Sequence, residues 1–269
     1  MTGISADPYW WQAAPPQDFH IDHWPERADV VIIGGGYTGF GAAIPLARAG
    51  LDVVILERDQ IGSGASTRNG GITSGNLRLS FDDLNKKFGL EKTTAFYQEA
   101  KAARADLAQF ITSEKIDCDL QQCGRLVGAL CPESLASMKR DAERLTKLLD
   151  IDATVYDQTS LPDYIDTSRY CGGMMRDDIG GIHPAKLLAG MCQIARATSV
   201  KIVTQTKMIG VSQQSTSSPT PKFRVETSRG IIHAGHVISA TNAYTDTGQP
   251  WLSRRLVPVI SEMIATEEL

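Results

Sequence analysis

Ala28-Asp29-Val30-Val31-Ile32-Ile33-Gly34-Gly35-Gly36-Tyr37-Thr38-Gly39, carried on to Leu56-Glu57-Arg58, reads as strand, glycine turn, helix, strand and acid. The spacing Gly34-x-Gly36-x-x-Gly39 directly follows the apolar run 30–33. The first glycine lets the chain turn sharply off the strand, the second lets a pyrophosphate approach the backbone, and the third lets the helix pack closely on the sheet. A helix N-terminus placed there offers N–H groups and a partial positive charge to phosphates. The second apolar run, Val53-Val54-Ile55-Leu56, ends in Glu57, where a carboxylate can accept hydrogen bonds from the adenosine ribose. Together these features predict adenine dinucleotide binding. Pro45 breaks a local rule: it cannot donate to the Gly41 carbonyl, so a kink or a shortened first helical segment is expected.

Working outward, 269 residues suffice for one large or two ordinary domains, and 42% hydrophobic with 22% charged residues is ordinary for a globular chain. The net charge of −4 supplies no basic field for nucleic acid. No run approaches 18 consecutive apolar residues, so no membrane span is expected, and the opening residues do not read as a signal peptide. Five scattered cysteines fit reduced thiols in a cytoplasmic protein better than a disulfide framework. Cys118, Cys123 and Cys131 contain no Cys-x-x-Cys pair, so no metal site is expected.

Residues 1–27, with Tyr9-Trp10-Trp11, read as an extended arm packing its aromatic side chains on the domain. After Glu57 comes a second small-residue stretch, Ile61-Gly62-Ser63-Gly64-Ala65-Ser66-Thr67-Arg68-Asn69-Gly70-Gly71. So few large side chains let backbone approach a flat ligand, and Arg68 and Asn69 supply donors. Its position just past the acid suits the far end of a long dinucleotide, which favours FAD over a dissociable nicotinamide.

Further along, Phe96, Ala100, Ala103, Leu107, Phe110 and Ile111 make a core-facing stripe on a helix within 82–115. Asp117 to Leu130 reads as strand, turn at Gly124, and strand. A helix after Pro132 carries Leu135, Met138, Ala142, Leu145 and Leu149 on one face. A strand at 170–175 and a glycine-rich turn at 180–184 lead to helix 185–198, with His183 a turn residue rather than a catalyst. Strands follow at 201–204, 208–211, 223–227 and 236–240, with Ser212 to Pro221 a polar hairpin tip. The return from helix to strands predicts that the sheet begun at residue 30 is extended late in the chain. Thr241-Asn242-Ala243-Tyr244 is then a strand-end turn where ligands of open α/β sheets collect. Leu256 to Thr266 reads as one more strand.

On Tyr9-Trp10-Trp11, Ala28 to Gly39, Ser66-Thr67-Arg68-Asn69-Gly70-Gly71, Gly180 to Pro184 and Ala240-Thr241-Asn242-Ala243-Tyr244, the chain resembles FAD-dependent oxidoreductases of the D-amino-acid oxidase-like family. It is most similar to the branch containing gamma-glutamylputrescine oxidase. The resemblance implies an α/β architecture: a Rossmann-like FAD-binding domain, discontinuous in sequence, with an interleaved, incomplete α+β substrate domain. The expected division is an arm at 1–27, an FAD-binding domain at 28–117 and 183–250, and a partial substrate domain at 118–182 and 251–269. The implied cofactor contacts are Gly34, Gly36, Tyr37, Thr38 and Gly39 at the diphosphate, Glu57 and Arg58 at the ribose end, and Gly64, Ala65, Ser66, Arg68, Asn69, Gly70 and Gly71 along the flavin, with Met208, Ala240 and Thr241 completing the set. The implied reaction takes hydride from an amine or amino acid, with a gamma-glutamylputrescine-like substrate expected; the imine hydrolyses, and molecular oxygen becomes peroxide. No acid–base residue is assigned, because such catalysis rests largely on orientation and on the flavin's own chemistry. Family members continue beyond the position matching Leu269, so this chain is expected to correspond to their N-terminal part. Two other readings stay open: a flavin dehydrogenase passing electrons to another acceptor, and an inactive FAD-binding fragment.

Overall fold

The computed structural model describes residues 5–214, 222–259 and 262–266. In chain order the elements are Arg27–Ile33 (β1), Tyr37–Arg48 (α1), Val53–Leu56 (β2), Ile72–Thr73 (β3), Phe81–Phe88 (α2), Leu90–Ser113 (α3), Arg125–Ala129 (β4), Pro132–Leu149 (α4) and Ala153–Asp157 (β5). Gly172–Arg176 (β6), Gly180–Gly181 (β7), Pro184–Ala197 (α5), Lys201–Val203 (β8), Met208–Gln213 (β9), Phe223–Thr227 (β10), Ile231–Ser239 (β11) and Pro250–Ser253 (α6) follow. They form two compact units: residues 1–69 with 184–269, and residues 70–183. These boundaries fall at 69/70 and 183/184, so helices α2 and α3 group with the inserted unit.

The first unit holds a six-stranded sheet in the order β8-β2-β1-β11-β10-β9. Strands β8, β2, β1 and β11 run parallel, and β10 and β9 continue as antiparallel neighbours. All four residues of β2 are buried, as a parallel strand covered on both faces requires. Alternation sends Val31, Ile33, Val54, Leu56 and Val203 to one face, where they pack with Met208, Val225 and Ile232 from the antiparallel strands. On the opposite face α1 lies against Ile32 and touches α5, whose buried stripe is Leu187, Leu188 and Met191. The late strands do extend the first sheet: β8 joins β2, and β11 joins β1.

Helix α1 runs through Pro45 to Arg48 without the expected shortening. Gly41 and Pro45 lie one turn apart and both are exposed, so water can satisfy the carbonyl that Pro45 leaves unpaired.

The inserted unit contains a three-stranded antiparallel sheet, β4-β6-β5, and the short pair β3-β7. Leu145 and Leu149 of α4 form a small core with Ile151, joined by Phe81, Tyr97 and Met174. Arg176 is buried at the end of β6, and its guanidinium grips Asp178 at 2.9 and 2.7 Å and Asn76 Oδ1 at 2.5 Å. A buried charge needs such pairing to offset its desolvation.

Three expectations change here. The single helix within 82–115 is two, separated by Gly89 at φ +82°, a conformation that glycine adopts without strain. Its stripe holds in part: Ile111 is buried and Ala100, Leu107 and Phe110 are half-buried, but Phe96 is 42% exposed and packs edge-on against Phe88, Ala103 is exposed, and Thr93 is buried. In 117–130 one strand forms, β4, because Gln121 makes only an isolated bridge to Gly181. The apolar run from Leu256 carries no strand among its described residues; Val259 is 84% and Ile264 94% exposed. An apolar pattern becomes a strand when a partner completes its ladder, and none of the described residues does so. Residues 260 and 261, and residues 215–221 of the expected hairpin tip, lie outside the described set, while Ser212 and Gln213 belong to β9.

Candidate functional site

The parallel strands β1, β2, β8 and β11 all end on one edge of the first unit's sheet. From β1 the chain crosses to β2 on one side, whereas β11 enters on the other, so the order reverses between β1 and β11. Ligands of open α/β sheets bind at such a reversal, outside the carboxyl ends of the strands.

The glycine turn sits at that edge. Gly34 has φ +109°, and a Cβ built there would lie 2.6 Å from the Ala240 carbonyl oxygen. Ala240 is held at the end of β11 by its N–H bond to the Ile33 carbonyl, 2.8 Å. A Cβ on Gly39 would collide with the Gly34 carbonyl, so the third glycine allows α1 to close onto the turn. Gly36 faces Ser66, whose Oγ would be 2.8 Å from an added Cβ and accepts the Tyr37 N–H at 3.1 Å. Sequence reasoning placed Ser66 beside the flavin; the structure puts its hydroxyl at the start of α1. The tight turn makes that contact possible.

Parallel pairing of β1 with β2 brings Glu57 beside the turn. Its Oε2 accepts the Gly35 N–H at 2.8 Å, and Oε1 accepts the Asp59 N–H at 3.0 Å. The carboxylate is thus oriented by backbone donors and retains lone pairs for further donors. The Glu57 carbonyl accepts the Thr206 N–H at 2.9 Å, which draws the segment after β8 alongside the acid. Met208 follows with its side chain buried in the core. Arg58 is exposed and engages Asp59 at 3.1 Å.

The second small-residue stretch forms a single 3-10 turn, Ala65–Thr67, after the extended Gly64. Asn69 Nδ2 donates to the Ala65 and Ser66 carbonyls at 3.2 and 2.9 Å, and Arg68 Nε donates to the Ser63 carbonyl at 2.9 Å. Both side chains therefore brace the loop itself. Gly64 lies near Tyr244 of the strand-end turn, and the Thr241 hydroxyl meets those of Thr245 and Ser239. Tyr37 reaches the Pro184 carbonyl with its hydroxyl, 2.8 Å, while Thr38 is exposed.

Gly70 and Gly71 open the inserted unit. There Gly71 takes φ +68°, and its carbonyl accepts the Ile182 N–H at 2.8 Å. In the same unit the buried His183 donates its backbone N–H to the Cys118 carbonyl at 2.7 Å.

The start of α1 fits a phosphate. Its N-cap residue, Gly36, has no side chain to offer, and no acid stands in its first turn. Its partial positive charge is left for a negative group from outside the helix. Glu57 supplies acceptors for hydroxyls nearby, so the donor and acceptor sets suit the two ends of an adenosine diphosphate. None of the five cysteines is joined in a disulfide; burial pushes the Cys192 thiol up to about 11. Among the described residues no helix is long and apolar enough to cross a membrane.

Comparison with known proteins agrees with this geometry. The family described as "FAD dependent oxidoreductase" (DAO) matches residues 29–269. Gamma-glutamylputrescine oxidoreductase of Escherichia coli is 31% identical over 242 residues, which cover 90% of this chain and 55% of that protein. A probable oxidoreductase, OrdL, of Rhizobium meliloti is 29% identical over 99% of this chain and 61% of its own length. The chain thus spans a little over half the length of these relatives. Among solved structures, L-amino acid deaminase from Proteus vulgaris superposes with a TM-score of 0.71 at 22% identity, over 87% of this chain and 58% of that one. Glycine oxidase from Geobacillus kaustophilus gives 0.69 at 19%, over 85% and 59%. At these identities the two structures show a shared fold, the Rossmann-like α/β arrangement.

Proposed function

The chain belongs to the FAD dependent oxidoreductase family, and from that membership we propose that it serves the FAD-dependent oxidation of an amine or amino acid. The observation that carries the reading is the N-terminus of α1, which has neither a capping side chain nor an acid of its own, with Glu57 locked beside it by the Gly35 N–H. In this reading the first-turn N–H groups of α1 and the Ser66 hydroxyl hold the diphosphate. Glu57 binds the adenosine ribose, the backbone near Met208 borders the adenine, and Ala240 with Thr241 lines the strand-end side. The loop from Gly64 to Gly71 borders the flavin, with Arg68 and Asn69 keeping its backbone in shape. Bound FAD would supply the acceptor for a hydride from the carbon next to nitrogen, and the chain's own residues would orient it.

The identity with gamma-glutamylputrescine oxidoreductase supports a gamma-glutamylated amine as the first substrate to try. Oxygen is the proposed acceptor, and the free thiols support a cytoplasmic setting. In the same reading the first unit is the FAD-binding domain and the inserted unit belongs to the substrate domain.

The test begins with colour. Purified chain that is yellow, or becomes so on adding FAD and keeps the flavin absorbance after gel filtration, supports the reading; protein that stays colourless with excess FAD overturns it. Anaerobic bleaching of the bound flavin by gamma-glutamylputrescine, with peroxide released on readmitting air, then supports substrate and acceptor. Bleaching with no peroxide supports a dehydrogenase.

A further inference from the structure

Residues 8–19 strap down the loop that follows the acid. Gln17 and Ile61 exchange both backbone hydrogen bonds, at 2.9 and 2.8 Å, and Asp18 accepts from Gln60 Nε2 at 2.8 Å. Upstream, Trp10 Nε1 donates to the Asn69 carbonyl at 2.8 Å, and Trp11 Nε1 donates to Thr67 Oγ1 at 2.9 Å. Thr67 is buried and its hydroxyl donates in turn to the Gly62 carbonyl, so the indole, the hydroxyl and the loop backbone form one chain. The ring of Trp11 also carries the Arg68 guanidinium, 4.5 Å from its centroid.

Aromatic packing, the reading from sequence, accounts for the rings but not for the direction of the two N–H groups. Both are spent on the same short turn. Within the loop the backbone makes a single 3-10 turn, braced by the side chains of Thr67, Arg68 and Asn69, and the two indoles add anchors from outside it, which narrow a short, small-residue loop further toward one conformation.

We propose that Trp10 and Trp11 are positioning residues, whose indole N–H groups hold Thr67–Asn69 in the shape that receives the flavin end of FAD. The inference rests on the functional reading above. It differs from packing in one respect: phenylalanine keeps a ring but loses the donor.

The experiment compares wild type with Trp10→Phe/Trp11→Phe in the full chain. The first measurement is made without FAD, as amide hydrogen exchange. The amides of Thr67 and Arg68, which bond to the Gly64 and Ala65 carbonyls, should exchange about tenfold or more faster in the variant, with β1 and β2 unchanged. The second is an FAD titration by flavin fluorescence, where the variant should bind about tenfold or more weakly. Equal exchange in the two proteins overturns the strap. Faster exchange with equal FAD affinity overturns its role toward the flavin. Wild type that takes up no FAD overturns the functional reading itself, a result separable from the ratio between variant and wild type. A variant in which the β1 and β2 amides also exchange faster shows a general loss of packing and likewise overturns the proposal.

Discussion

Helices α1 and α2 begin in opposite ways. Helix α2 is complete in itself: Ser80 caps it by accepting the Asp83 N–H at 3.1 Å, Asp82 and Asp83 sit in its first turn, and Lys86 and Lys87 in its last. The macrodipole is neutralised at both ends from within the sequence. Helix α1 opens on Gly36 with no acid in its first turn, and the Glu57 carboxylate, which follows β2, accepts the Gly35 N–H. A helix start with no capping side chain or acid of its own, at the carboxyl edge of a parallel sheet, suits an anion. The difference teaches where to look for the cofactor, and substitutions at the two starts should behave differently.

The largest expected effect is at the turn itself. Gly34→Ala must place a Cβ 2.6 Å from the Ala240 carbonyl at φ +109°. Backbone strain and overpacking together should cost about 2–5 kcal/mol, read as a lowered urea midpoint, and FAD uptake should be lost with it. A cost below about 1 kcal/mol would mean that β1 and β11 can separate freely.

Glu57→Ala comes next. It removes an ionised acceptor from the Gly35 and Asp59 N–H groups and from the proposed ribose contact. FAD should bind roughly ten- to a hundredfold more weakly in a fluorescence titration, since bonds to charged acceptors are worth about 1.5–3 kcal/mol. Unchanged affinity would remove Glu57 from the cofactor site.

How far these contrasts could be read from the chain varies with how local their causes are. Val30–Ile33, the glycine spacing and Val53–Glu57 lie within one βαβ unit, so periodicity and turn chemistry suffice to find them. That late strands extend the first sheet was also legible, because a helix returning to strands has few places to go, but that β11 pairs with β1 was not. The contacts of Ser66, Trp10 and Trp11 were not, since each is made across tens of residues: Trp10 meets the carbonyl of Asn69, and a side-chain pattern carries no record of which backbone oxygen it will find. Phe96 misled for a related reason. The stripe lies wholly within α3, and helical spacing alone does not say what each turn faces: Phe96 meets Phe88 of α2 edge-on and stays exposed, while Ile111 near the other end is buried. At 256–266 the apolar residues were visible, but a strand is a property of a pair.

Ser80→Ala tests the self-contained helix. It should lower stability by about 1 kcal/mol, the usual loss for an N-cap, and leave FAD affinity unchanged. A matching loss of FAD affinity would mean that capping of α2 matters to the cofactor site, and the contrast between the two starts would fail.

The smallest effect separates a helix kept open for a ligand from one that is merely weak. Gly41 lies in the exposed interior of α1, and a Cβ there meets nothing within 4 Å. Gly41→Ala should therefore stabilise the chain by about 0.5–1 kcal/mol, by removing freedom from the unfolded state, and thermal unfolding would show it as a raised midpoint. If the bare start of α1 reflects poor helix formation that FAD must repair on binding, the same substitution should also tighten FAD, because less ordering would be left for the cofactor to drive. If the helix is already formed and its start is held open by Gly34, Gly36 and Gly39, stability rises and affinity stays where it was. The bonds that fix Gly35 and Tyr37 to Glu57 and Ser66 favour the second outcome, since both are made by the chain without any ligand.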